Sequence, residues 1–201
     1  MNVGSVAHSM NPYLGTYKSA SKTQAGNFQN TMSTVGTPSK PLQLHGMYGS
    51  TAEDGSQVVG AWADAVAGTS ATVYKPADFN PEEPVYTMKI WDSDDNLLEE
   101  RTVNLNDVDV NHCDNFDMYA YSCYLSKSGK YPDAMNKFLM MPAQEKGYDT
   151  DYDLSSMFEK KNWVSILKDL MDMQYKLGNH HGYMEYKKFH FDSEGKIRLG
   201  E

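Results

Sequence analysis

Three groups of residues in this chain have the types and spacing to do chemistry. The first is His112-Cys113. A cysteine at a helix N-terminus has a lowered thiol pKa, and a histidine can serve as its base. The pair therefore suits the nucleophile of a hydrolase or transferase. Neighbouring side chains on a helix diverge, however, and a core or half-buried cysteine is the favoured reading of the same residues. The second group is His180-His181 with His190 and Asp192. His190 and Asp192 are two apart and would share one face of a strand. A hairpin that carried them to His180 or His181 would assemble an N/O ligand set for a metal. No cysteine sits nearby and adjacent histidines point different ways, so a polar helix-to-strand loop is the favoured reading. The third group is acidic: Asp92-Asp94-Asn96, Asp107-Asp109-Asn111 and Asp149-Asp151-Asp153. Each has the opening spacing of a calcium loop, which also needs glycine at its sixth position and glutamate at its twelfth. The chain offers Leu97 and Val103 to the first, Met118 at the end of the second, and Leu154 and Lys160 to the third. These acids read as turns and helix caps. No G-x-S-x-G, P-loop, G-x-G-x-x-G or H-E-x-x-H occurs, and no cofactor is implied.

Elements must position these groups. Val85–Trp91 is rich in β-branched and aromatic residues, and Leu97–Leu105 alternates more weakly. The turn residues Ser93 to Asn96 join them as a hairpin. If Ser93 opposes Asn96, then Tyr86 faces Val103, Met88 faces Arg101 and Ile90 faces Glu99. A helix must cover that apolar face. Phe116, Ala120, Cys123 and Tyr124 form one helical stripe, and Met118, Tyr121 and Leu125 another. Asn111 or Asp114 can cap this helix, and Gly129 ends it. Tyr131 to Met141 reads as a short helix stopped by Pro142. A longer helical region starts at Asp153, with a possible break at Asn162 and a stop at Gly178. Tyr183 to Phe191 reads as a strand turning at Asp192 to Gly195 into Lys196–Leu199.

The expected fold is α+β. Two β-hairpins, about 85–105 and 183–199, form an antiparallel sheet packed against helices at about 114–127 and 153–177. Tyr86, Met88, Ile90, Val103, Phe116, Ala120, Leu167 and Leu170 should be buried together. Upstream, Ser70 to Tyr74 reads as a short strand, Ala61-Trp62-Ala63 fits helix or strand, and Pro76, Pro81 and Pro84 make an extended connector.

Composition divides the chain. Residues 1–52 hold no Asp or Glu, and their charged side chains are Lys18, Lys22 and Lys40. All 27 acids therefore follow, against 15 of the 18 basic residues, a net of −12. The reading is a disordered Ser/Thr/Asn/Gly-rich tail over 1–45 and a single α+β domain over 46–201. A net charge of −9 argues against nucleic acid and against anionic membranes. No apolar run approaches the ~20 residues of a membrane-spanning helix. The first residues lack a Sec signal peptide, which points to the cytoplasm or to another export route. Cys113 and Cys123, ten residues apart on a helix, would lie roughly 15 Å apart, too far for a disulfide.

The stretch NLNDVDVNHCDNFDMYAYSCYL, behind NPYLGTYKSASKTQAGNFQNTM, resembles small uncharacterised proteins of Gram-positive anaerobic bacteria, a group with no assigned activity. The acid-free start also resembles N-terminal signals of flagellar or type III export substrates. Thirteen Met and fourteen Tyr suit an adaptable interface and equally suit the filling of a core. The function expected is that of a non-enzymatic interaction or accessory protein, binding another protein through a Tyr/Met-rich surface. The alternatives are an enzyme using Cys113 or the His180/His181 region, and a metal-binding module.

Overall fold

A computed structural model describes residues 41–145 and 152–188. The tail before Pro41, the acids Asp149 and Asp151, and His190 and Asp192 lie outside them. The class is α+β, as expected. Four strands, β1 (Gln57–Asp64), β2 (Thr69–Lys75), β3 (Val85–Asp92) and β4 (Leu97–Asn104), form an antiparallel sheet in chain order. Five helices follow among the described residues: α1 (Asn115–Lys127), α2 (Ala134–Glu145), α3 (Leu154–Phe158), α4 (Trp163–Lys176) and α5 (His180–Lys188).

The β3–β4 hairpin has the register that its alternation requires. Tyr86 opposes Val103, Met88 opposes Arg101 and Ile90 opposes Glu99. A one-residue slip would turn Met88 and Ile90 to the open face, so burial of one face fixes the pairing. The expected Ser93–Asn96 pair does not form. A bulge after Ile90 moves Trp91 opposite Leu97, and the Asp92 amide bonds to the Asn96 carbonyl. Asp92 Oδ1 accepts from the Asp94 and Asn96 amides and holds the turn, with Asp95 at φ +73°.

The Lys196–Leu199 strand of the expected 183–199 hairpin lies outside the described residues, and a second hairpin among them stands before β3. It is β1–β2, and the ambiguous Ala61-Trp62-Ala63 is strand. Tyr183 to Lys188, expected as a strand, is the body of α5. A run this short satisfies a period of two and a period of 3.6 together. Tertiary packing decides: Tyr186 is buried, and Glu185 reaches Lys137 of α2 at 3.0 Å. Pro142 also fails to stop a helix, since α2 continues to Glu145.

Caps set the other helix ends. Asp114 accepts from the Asp117 amide, Asp153 from Ser156 and Asn162 from Ser165. The helical region from Asp153 to Leu177 is thus two helices, broken before Asn162. The eight residues expected in the core are all buried in one cluster. α1 is buried almost all round, and it approaches β1 closely at Gly60, where a Cβ would collide with Cys123 Sγ. Trp62 meets Phe116, Tyr119 and Phe138 with ring centroids 6.2, 5.4 and 5.7 Å away. On the opposite face of the sheet, His45 stacks on Trp91 at 3.8 Å.

Candidate functional site: a lysine–aromatic cleft

Cys113 sits in the junction before α1 and is 4% exposed. Burial, reinforced by Asp117, Asp114 and Asp109, holds its thiol far above the ordinary cysteine range. A nucleophile needs the opposite shift. Its carbonyl has a structural task, accepting from the Lys161 amide at 3.0 Å and from Trp163 Nε1 at 3.1 Å. His112 is exposed beside it. Cys123 is buried in α1, where burial pushes its thiol up to about 12. Both cysteines are free. His180 and His181 are exposed in the first turn of α5. Among the described residues, no group of three His, Cys, Asp or Glu side chains is placed to hold a metal. Asp92, Asp109 and Asp153 serve turns or caps by accepting from nearby amides.

The described methionines span the range of burial, with Met135, Met171 and Met173 half-buried. Met88, Met118, Met141 and Met157 are fully buried, whereas Met47, Met140 and Met184 are exposed. Tyr48 and Tyr175 are exposed as well.

One charged cluster is built into the fold. Arg101 is held in a fork by Glu99 at 2.7 and 2.8 Å, and its Nη1 donates to Asp114 at 2.7 Å and to Asp117 at 3.0 Å. Its guanidinium lies over Phe116 and Phe158, at 5.7 and 5.8 Å. Burial alone would lower the Arg101 pKa, but the carboxylates hold it more firmly protonated. Burial and then Asp114 raise the Asp117 carboxyl above its ordinary value, against the pull of Arg101. Every donor direction of the guanidinium that meets these acids is spent internally, so the cluster fastens β4 to the N-terminus of α1.

A different arrangement stands at the other end of α1. Lys75 ends β2, Phe79 and Pro81 lie in the connector, and Tyr86 begins β3. Opposite them are Tyr124, Lys127 and Ser128 from the end of α1, and Lys130 just beyond. Together they line an open cleft of ≈ 400 Å³. Its floor is aromatic: the Phe79 and Tyr86 rings are 5.5 Å apart, and Tyr86 meets Tyr124 edge-on at 6.1 Å. Burial raises the Tyr86 hydroxyl pKa far above the tyrosine range, so it stays protonated. Each lysine rests on a ring. Lys75 Nζ is 4.6 Å from the Phe79 centroid, Lys127 Nζ 4.3 Å from Tyr48, and Lys130 Nζ 5.2 Å from Tyr124. Lys130 Nζ also donates to the Tyr124 hydroxyl at 3.4 Å. Among the described residues, the ion pairs of the chain include none of these three lysines.

Sequence reasoning passed over this cleft. Its local signals are Lys75 four residues before Phe79 and the run Tyr124, Lys127, Lys130, which stand about fifty residues apart in the chain. No protein-family model matches the chain, and neither a curated protein nor a solved structure matches it. Among the described residues, no helix is long and apolar enough to cross a membrane.

Proposed function

We propose that this is a non-enzymatic interaction protein that docks a segment of another protein against the cleft between the β2–β3 connector and the end of α1. The observation that carries this reading is the aromatic floor. Phe79 and Tyr124 are half-buried, open to the cleft and backed by the core through Tyr86. Rigid, partly apolar rings with a polar rim are the usual anchors of protein recognition. The exposed Tyr48 and Met47 stand on the adjoining loop and extend the Tyr/Met-rich character of this side.

Site-directed photo-crosslinking tests the reading. A benzophenone amino acid replaces Phe79 in the full chain, and Thr102 in a control. Irradiation in extract of the source cells should give one discrete protein adduct from position 79 and none from 102. Equal adducts at both positions, or none at 79, would end the proposal.

A further inference from the structure

Resting on that reading, we infer that the docked segment is acidic: carboxylates of the partner bind Lys75, Lys127 and Lys130, while an apolar side chain lies on the Phe79–Tyr124 floor. The argument begins with an imbalance. The chain carries 27 acids to 18 basic residues, yet these three lysines converge on one cleft without a carboxylate partner among the described residues. The connector acids Asp78, Glu82 and Glu83 are close in sequence and exposed, and form no ion pair with them there. What sets the three apart is their convergence, since Lys160, Lys168, Lys176 and Lys187 also lack an ion pair among the described residues, while three lysines do meet carboxylates. Lys137 and Lys188 share Glu185, and Lys89 pairs with Glu100.

Each cleft ammonium is instead held by a π face. That contact positions the cation but neutralises no charge. An ammonium has three donors and no acceptor, so N–H groups remain for a ligand. The α1 terminus does not oppose an anion as a bare helix end would. Its carbonyls are taken internally: Tyr124 O by the Ser128 amide at 2.8 Å, Ser126 O by Gly129 at 3.4 Å, and Leu125 O by Tyr131 at 3.1 Å. Lys127 and Lys130 then outweigh what remains.

The overall charge of −9 selects the kind of anion. A polyanion such as nucleic acid or an anionic membrane extends well beyond the cleft and meets the acidic remainder of the surface. A few carboxylates on a short peptide stay within the ~8–10 Å over which the local lysines act at physiological salt. The apolar floor also needs a side chain that free inorganic anions lack.

The test uses the full chain and fluorescence anisotropy. The probes are a labelled glutamate-rich peptide with one phenylalanine and the same peptide with glutamine for glutamate, with AMP as competitor. The glutamate peptide should bind saturably and weaken roughly tenfold or more as salt is raised, as charge-guided contacts do. The double variant Lys75→Glu, Lys130→Glu should weaken it about tenfold or more, and Lys188→Glu should leave it unchanged. Phe79→Ala should weaken both peptides. Equal binding of the glutamate and glutamine peptides would overturn the acidic assignment while leaving the docking reading intact. So would a crosslinked partner whose contact segment has no acids. No saturable peptide binding, or displacement of the peptide by AMP, would also overturn it.

Discussion

Arg101 and Lys130 both lie against aromatic rings, yet among the described residues only Arg101 has its charge answered by carboxylates. Arg101 is mostly buried, with a side chain 17% exposed, and three acids surround it. Lys130 is exposed, and its neighbours are a ring and a hydroxyl. The two sites sit at opposite ends of α1. A guanidinium in a fixed fork suits a permanent clamp, whereas a flexible ammonium suits a contact that forms and breaks. The same ingredients, a cation and a ring, thus serve structure at one end of the helix and remain available at the other.

The largest effect should come from breaking the clamp. Arg101→Ala leaves Asp114 and Asp117 without their counter-charge while both are largely covered, and should cost about 3–5 kcal/mol in denaturant unfolding. A loss comparable to that of a surface lysine would abolish the contrast between the two ends. Ile90→Ala gives the apolar reference. Its side chain is fully buried, and the cavity should cost about 2–5 kcal/mol by the same measurement.

The cleft should behave oppositely. Lys75→Ala and Lys130→Ala should each change stability by no more than about 0.5–1 kcal/mol, the scale of an exposed cation–ring contact. Larger losses would make these lysines structural and draw the cleft towards the clamp.

Thiol reactivity sharpens the picture of the junction beside the clamp. Burial raises both thiols, that of Cys123 to about 12, so thiolate is scarce near pH 8. Native protein should be almost inert to an aromatic disulfide reagent, and unfolded protein should react fully. Rapid labelling of native Cys113 would restore it as a candidate nucleophile.

The smallest effect concerns Glu185, whose lysine partners Lys188 and Lys137 depress its carboxyl from 4.5 to about 2. A depressed acid adds stability that is fully present above its unfolded value. That stability is lost as pH falls through the folded value. Amide protection in α5 should therefore decline between about pH 4.5 and 2, and Lys137→Ala should flatten that decline. Protection that is independent of pH across this window would show that the pair does not hold α5.

Much of this fold is written locally. Tyr86, Met88 and Ile90 alternate strictly, and burial of one face leaves a single register for β3 against β4. Asp114, Asp153 and Asn162 carry oxygen-bearing side chains one residue before helical stretches, so the caps are readable without knowing what they pack on. The rest needed tertiary partners. Gln57–Asp64 is strand because β2 pairs with it, and its Gly60 matters only once α1 lies across it. Tyr183–Lys188 matches both periods, and the buried side of Tyr186 chose the helix. The cleft is the extreme case, because Lys75 and Lys130 are brought together only when α1 packs on the sheet. A single sequence encodes hydrogen-bond and periodicity preferences over a few residues. It does not state which distant side chains will share a surface, since that depends on the packing of whole elements.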